Sequence, residues 1–350
     1  MFSLCLQGLS WVYGRLVSLR NYLYKKQIKK SFFPKKPKVI GIGNLSLGGT
    51  GKTPLVVYLV TLLAKRHVIA VLSRGYKRKS IGFKIINALE SVCTAGDEPY
   101  LLYQRFGNNP NVLIAVCENR VKGIAQIMEY RPEVEVVLLD DAFQHLSLTP
   151  HLNIVLTSFH QPFFKDHLLP FGRLREPRKG VSRADIVLVT KSSPNLTQAT
   201  MDPIKTAIQT YHTNSVSIFF THTIYHDPIA VGSFKGAKLP TVLLLVTGIA
   251  DPLPLQNHLE NNGHKVTHLD FPDHHWFSDG DVHTIIHLFH RLGHPDKAIV
   301  TTEKDYVRLI NHHWRKLLCV LPIFYIPIEI GFAQEAKEAF DRKIMDVVHA

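Results

Sequence analysis

No aspartate or glutamate occurs before Glu90, although residues 1–89 carry 17 lysines and arginines. The formal charge of +13 therefore belongs to the first quarter of the chain, because the rest holds 24 basic against 28 acidic residues. A one-signed segment of this kind needs an anionic partner, either a nucleic acid or an anionic membrane surface. Cysteine is also scarce. Cys5, Cys93, Cys117 and Cys319 have no paired spacing, which excludes a disulfide framework and a cysteine zinc site and fits a reducing compartment. No internal repeat or low-complexity tract interrupts the 350 residues, and an apolar content of 45% suits folded domains rather than disorder.

A long uncharged apolar run is missing too. The first one ends at Arg15, short of the ~20 residues that a spanning helix needs. Charges follow rather than precede it, and no small-residue cleavage site is evident, which argues against a signal peptide. Leu9, Val12, Leu16, Leu19 and Leu23 instead fall on one helical stripe, with Gln7, Gly14, Ser18, Asn21 and Lys25 on another. Trp11, Tyr13, Tyr22 and Tyr24 are residues that settle at a lipid–water boundary. Lys25, Lys26, Lys29, Lys30, Lys35, Lys36 and Lys38 follow, each worth about 1 kcal/mol beside an anionic leaflet. This pattern predicts an amphipathic helix lying in a membrane interface. The alternative is a helix packed on the protein's own core. A nucleic-acid module is disfavoured, because the basic residues are interleaved with leucines.

From residue 38 onward strand-like and helix-like runs alternate. Strands are expected over 39–43, 68–73, 111–117 and 135–141, with helices starting near Lys52, Glu98 and Asn119. Runs at 153–157 and 185–190 extend the set. The alternation predicts an α/β fold with a parallel sheet covered by helices on both faces. Further strands at 217–221, 241–247, 265–271, 297–302 and 320–328 imply a second, smaller α/β unit. The organisation read from the sequence is an N-terminal helix and basic segment at 1–37, a nucleotide-binding domain at 38–215 and a smaller domain at 216–350. Residues 162–183 are rich in Pro, Gly and Arg and read as one long irregular loop, the kind that is functional or disordered.

The strand at 39–43 runs into Ser46, Leu47, Gly48, Gly49, Thr50, Gly51, Lys52 and Thr53, a glycine-rich turn opening a helix. This is the context of a phosphate-binding loop, in which backbone N–H groups and the helix N-terminus surround phosphate oxygens. Lys52 would neutralise β/γ oxygens and Thr53 would ligate Mg²⁺. The strict pattern has Gly where Ser46 stands. The related loop of partitioning ATPases carries a signature lysine where Leu47 stands. Asp140 and Asp141 end a second apolar strand and arrive at the same sheet edge, where two adjacent carboxylates favour a metal between them. Thr190 and Lys191 end a later strand, but Ser193 replaces the aspartate that guanine reading needs, so ATP is the expected nucleotide.

Two groups offer acid–base chemistry. Asp97 lies in Gly96-Asp97-Glu98-Pro99, a turn opening a helix, where plain capping is the competing role. Asp273-His274-His275 follows a later strand, and its competing role is a polar loop. Zinc is the rival use of the 20 histidines, yet His283, His287, His290 and His294 lie opposite Val282, Ile285, Ile286 and Phe289 and read as a solvated face. Ser278 and Asp281 stand at capping-box spacing before that helix. Arg173, Arg175, Glu176 and Arg178 of the long loop could meet phosphate and metal charge.

Taken in order, GNLSLGGTGKTP (43–54), SRGY (73–76), GDEP (96–99), LLDDAFQH (138–145), LREP (174–177), DHH (273–275) and TTEKD (301–305) resemble the tetraacyldisaccharide 4'-kinase family of Gram-negative bacteria, over nearly the whole chain. The resemblance implies transfer of the ATP γ-phosphate to the 4'-hydroxyl of a tetraacyldisaccharide 1-phosphate, forming lipid IVA in lipid A biosynthesis. It implies Asp97 as the base with His274 as its dyad partner, and Arg175 contacting phosphate. Lys52 and residues 46–53 would hold ATP, and Thr53, Asp140, Asp141, Gln144 and Glu176 would manage Mg²⁺. It further implies a peripheral protein on the cytoplasmic face of the inner membrane with an anionic glycolipid substrate. The family's usual Gly is Ala142 here. The competing reading is a membrane-attached partitioning-type ATPase switch.

Overall fold

The computed structural model describes residues 2–234, 236–309 and 314–350. Among them, eight strands form the larger sheet: β1 (Lys38–Asn44), β2 (Ile69–Ser73), β3 (Lys84–Ile85), β4 (Val112–Val116), β5 (Val136–Leu139), β6 (Leu152–Ser158), β7 (Ile186–Thr190) and β8 (Ser217–Phe220). Their spatial order is β3-β4-β2-β5-β1-β6-β7-β8, and every pairing is parallel except that of the short edge strand β3. β1, β2, β4, β5 and β7 are buried almost throughout, as strands covered on both faces must be.

The chain then enters β9 (His222–Tyr225) and a second sheet built from β10 (Ile229–Ala230), β11 (Val242–Thr247), β12 (Lys265–Asp270), β13 (Lys297–Thr302) and β14 (Ile323–Ile326), ordered β10-β14-β13-β11-β12. It returns through β15 (Ile328–Gly331), antiparallel to β9. This two-stranded ribbon carries both connections between the sheets.

Helices in chain order are α1 (Phe2–Lys25), α2 (Lys52–Leu63), α3 (Val92–Ala95), α4 (Asp97–Phe106), α5 (Arg120–Tyr130), α6 (Gln198–Gln209), α7 (Leu253–Asn261), α8 (Asp279–Arg291), α9 (Glu303–Leu309), α10 (Arg315–Leu318) and α11 (Gln334–His349).

Two expectations need correction. β8 completes the larger sheet, so the first domain runs past residue 215. α11 also returns to that domain: Phe340 and Ile344, one turn apart, are fully buried against α2, and Tyr58 donates to Asp341 Oδ1 at 2.5 Å. The smaller domain is thus an insertion between β8 and α11 rather than everything after residue 215. The strand expected over 320–328 starts later and divides at Pro327, which lacks a ladder N–H.

α1 docks through Ser10, Gly14 and Val17, all buried, while Ser18 and Lys25 are exposed. A Cβ at Gly14 would lie 2.7 Å from Leu168 Cδ1, so a larger residue here must displace the Leu168 side chain. Ser10 donates to Leu168 O at 2.9 Å and Tyr13 to Arg175 O at 2.7 Å. The expected apolar stripe faces outward: Leu9 is 58% and Leu16 64% exposed. α1 is therefore packed on the protein through one face and leaves its apolar stripe exposed on another. Among the described residues, no helix is long and apolar enough to cross a membrane.

Candidate active site

The long loop at 162–183 is ordered because it pairs with the phosphate loop. Leu47 N donates to Arg173 O at 2.8 Å and Arg175 N to Leu45 O at 2.7 Å, with Ser46 opposite Leu174. Ser46 is an extended residue in this pairing, which explains why it does not need to be glycine. The left-handed positions of the turn are Gly48 (φ 99°) and Gly51 (φ 85°), where glycine is required. Asn44 ends β1 fully buried and braces the turn: its Nδ2 donates to Thr50 Oγ1 at 2.7 Å. Thr190 Oγ1 donates to Thr50 O at 2.8 Å. α2 then starts with no acidic residue in its first turn, leaving its N-terminus to an anion, with Lys52 and Thr53 at its head.

Asp140 and Asp141 emerge from β5 beside this turn. Ser73 Oγ donates to Asp140 Oδ2 at 3.2 Å, while Asp140 Oδ1 is buried with no hydrogen-bond partner. Burial, then the charges of Glu98 and Asp141, push the Asp140 carboxyl up to about 7. Asp141 has a left-handed backbone (φ 49°). Burial opposes its charge, but Lys52 at 3.5 Å and Arg175 at 2.9 and 3.0 Å hold its carboxyl down to about 2. Arg175 also reaches Asn44 Oδ1.

Gln144 and Glu176 form a second network, joined to the first where Gln144 Nε2 donates to Asn44 O at 2.9 Å. Glu176 is fully buried and accepts from Arg183 Nη2 (2.9 Å to each oxygen), Gln144 Nε2 (2.9 Å) and Asn21 Nδ2 of α1 (3.1 Å). Its oxygens are thus engaged by donors, and it joins α1 to the long loop.

Asp97 and His274, 177 positions apart, meet across the two domains: His274 Nδ1 lies 2.7 Å from Asp97 Oδ2. Gly96 (φ 90°) delivers Asp97 to the start of α4, and any Cβ there would sit 3.2 Å from the Gly75 backbone. His274 is itself left-handed (φ 58°), a strained position typical of functional sites, with the Tyr76 ring edge against it at 5.2 Å. Arg308 Nη2 approaches Asp97 Oδ2 at 3.0 Å and Lys304 Nζ lies 3.9 Å away. Burial pushes the Asp97 carboxyl up, but the His274 hydrogen bond and the charges of Lys304 and Arg308 override it and hold the group below the ordinary carboxylate range. Lys304 likewise pairs with Glu98 at 3.1 Å and, with Lys52 further off, keeps that carboxyl ionised against burial.

His275 takes no part in the dyad: its Nε2 lies 3.0 Å from Asp281 and its ring stacks on Phe271 at 4.8 Å. The Ser278–Asp281 capping box is present; His283, His287 and His290 are exposed on α8, and His294 is exposed beyond its end. Sequence reasoning gave no role to Asn44, Ser73, Glu98, Lys304 or Arg308. The i,i+4 spacing of Lys304 and Arg308 was a signal available in the chain.

A family model described as tetraacyldisaccharide-1-P 4'-kinase matches residues 2–347. The chain belongs to the tetraacyldisaccharide 4'-kinase family. Among relatives bearing that name, one from Phocaeicola vulgatus is 40% identical over 98% of this chain and 94% of its own. Another from Flavobacterium psychrophilum is 38% identical over 97% and 95%. A crystal structure of LpxK from Aquifex aeolicus in complex with ATP superposes with a TM-score of 0.74 at 30% identity, covering 99% of this chain and all of that one. The tetraacyldisaccharide 4'-kinase fold is therefore matched along the whole length, including α1 and α11.

Proposed function

We propose that this chain uses Mg-ATP to phosphorylate the 4'-hydroxyl of a tetraacyldisaccharide 1-phosphate, with Asp97 and His274 as the pair that handles the acceptor hydroxyl. The observation that carries this reading is the 2.7 Å contact between those two residues, brought from different domains to the edge where Lys52 and Asp141 stand.

Asp140, Asp141 and Thr53 are the residues that would hold Mg²⁺. The orphaned, buried Asp140 Oδ1 and the pressure on its carboxyl are what a carboxylate awaiting a cation displays. Among the described residues no three His, Cys, Asp or Glu side chains converge closely enough for an all-protein metal cage. That suits Mg²⁺, which binds through one or two carboxylates and completes its shell with phosphate oxygens and water. When bound, the ion neutralises phosphate charge in the transition state.

The loop at 46–53 cradles the β- and γ-phosphates with its amides, and Lys52 neutralises their oxygens. Arg175, held by Asp141 and Asn44 beside the loop, is a further cation for the transferred group. Asp97 orients the 4'-hydroxyl and receives its proton as the new P–O bond forms and the β–γ bridging oxygen leaves with ADP. Phosphoryl transfer requires little proton abstraction before bond formation, so a weakly basic Asp97 suffices.

The finer location, the cytoplasmic face of the inner membrane, is supported by α1. Its outer leucines, Trp11 and exposed Lys25, Lys26, Lys29, Lys30, Lys35 and Lys36 form an apolar stripe next to a basic one. A groove of about 620 Å³ between α1 and the long loop, lined by Trp11, Leu168, Phe171 and Leu174, opens beside it and suits an acyl chain.

The test uses purified protein, γ-labelled ATP, Mg²⁺ and the tetraacyldisaccharide 1-phosphate in micelles. Label in the lipid with wild type, nearly lost in Asp97→Ala, is expected. Label released only as free phosphate, equally in both proteins, would retire the kinase dyad in favour of an ATPase switch.

A further inference from the structure

Two cations of α9 have no part in the roles above. Lys304 and Arg308 are four residues apart, hence on one face of the helix, and both are directed at the Asp97–His274 pair. Arg308 is 3% exposed, and its guanidinium is fixed from behind by Asp305 Oδ1 at 2.9 Å and Gly248 O at 3.0 Å. Asp305 is fully buried and is locked in turn by Gly248 N at 3.0 Å and Thr302 Oγ1 at 2.7 Å. The second domain thus presents a guanidinium held from behind through Nη1, with Nη2 3.0 Å from one oxygen of Asp97 as an ion-pair contact.

Lys304 Nζ stands 3.2 Å from His274 Nε2. An ammonium only donates, so Nε2 is the acceptor and the neutral ring carries its proton on Nδ1, facing Asp97. A competitor is close. Asp273 Oδ2 lies 4.0 Å from the same Nε2 and would draw a proton there if Lys304 were absent. The ring would then turn its bare nitrogen towards Asp97, and the contact that makes the pair would become a repulsion between two acceptors.

We infer that Lys304 and Arg308 are positioning residues for phosphoryl transfer, Lys304 by fixing the tautomer of His274 and Arg308 by fixing the carboxylate of Asp97. The inference rests on Asp97 and His274 being the acceptor-handling pair. It makes α9, in the second domain, part of the assembly of a site whose nucleotide elements all lie in the first.

The test compares Lys304→Met, Lys304→Arg, Arg308→Lys and Arg308→Met with His274→Ala and Asp97→Ala. Lys304→Met is expected to lower kcat by about tenfold while both KM values stay within about twofold, with partial recovery in Lys304→Arg. In the His274→Ala background the same substitution should cost less than about twofold, because its target is gone. A full, multiplicative loss in that background, or a KM effect at unchanged kcat, would overturn the role assigned to Lys304. Imidazole ¹⁵N shifts of His274, identified by their loss in His274→Ala, should report the Nδ1–H form in wild type and a shift towards Nε2–H in Lys304→Met. An unchanged tautomer would equally sink it.

For Arg308, the buried methionine variant tests folding, and Arg308→Lys keeps the question answerable if that variant does not fold. Arg308→Lys should lower kcat with ATP binding and thermal midpoint intact, and unchanged kcat would remove it from the assembly. Full activity in both Asp97→Ala and His274→Ala is the distinct outcome that would instead retire the dyad itself.

Discussion

Asp97 and Asp140 are both buried carboxylates at one end of the same sheet, yet their surroundings are opposite. Asp97 is enclosed by His274, Arg308 and Lys304 and is held ionised below its ordinary range. Asp140 faces Glu98 and Asp141, has one oxygen without any partner, and is pushed up to about 7. The difference assigns their chemistry. A carboxylate already supplied with cations by the protein is organised for geometry, whereas one surrounded by like charge is unfinished until a cation arrives. Buried acidity is thus used twice, once to fix a hydroxyl and once to recruit a metal.

That contrast can be broken in several ways. The largest effect expected is on turnover: Asp97→Ala should lower kcat by about a thousandfold, and Asp140→Asn by about a hundredfold with a marked rise in the Mg²⁺ concentration needed for half-maximal rate. Steady-state assays across Mg²⁺ concentration separate the two, since Asp97→Ala should leave that requirement unchanged. The next effect is on stability without metal, where the signs should differ. Asp97→Asn leaves Arg308 and Lys304 facing a neutral amide and should destabilise by about 3 kcal/mol, the scale seen when one partner of a buried pair is removed. Asp140→Asn relieves an unpaired buried charge and should be neutral or stabilising by about 1 kcal/mol. Urea unfolding of the metal-free proteins decides it, and matching signs would end the comparison.

A smaller effect concerns α1, which presents one face to the protein and another outward. Gly14→Leu must displace Leu168 and should expose the N-terminal helix to protease, leaving the nucleotide site intact. Replacing Leu9 and Leu16 with Ser should instead leave the helix docked and weaken flotation with anionic vesicles. The smallest effect is the pH dependence of the contact between the domains. Asp97 has a lower pKa folded than unfolded, so its contribution is complete above about pH 4 and drains away as pH falls towards the folded value. Stability measured between pH 6 and about pH 5 should therefore be unaffected by this group.

Much of this was legible in the chain and some was not, for physical reasons. The strands of the larger sheet announce themselves because burial on both faces demands continuous apolar runs, and the phosphate loop because its spacing is set by backbone geometry. β8 is only half-buried, with intermediate exposure at Ser217, Ile218 and Phe220, and so carries a weaker signal of where it belongs. α11 is amphipathic as any surface helix is, and nothing in its own residues says which of two cores it covers. Asp97 and His274 each stood out in a local turn, but their pairing came through family resemblance, since no spacing rule connects positions so far apart. The docking face of α1 was not legible, because the small residues that line it, Ser10 and Gly14, look neutral on a hydrophobicity pattern. Lys304 and Arg308 lay within a quoted motif, but their targets exist only once two domains meet.

The return of α11 to the first core bears on how the protein is made. Residues that seal one face of the nucleotide-binding sheet follow the inserted domain in the chain, so they leave the ribosome only after that domain has emerged. Until then α2 presents an open apolar flank, and an interrupted message yields a product whose nucleotide-binding sheet is unsealed. A chain that stops before Phe340 lacks the two side chains that cover that flank, and faster proteolysis of such a truncation is the expected result.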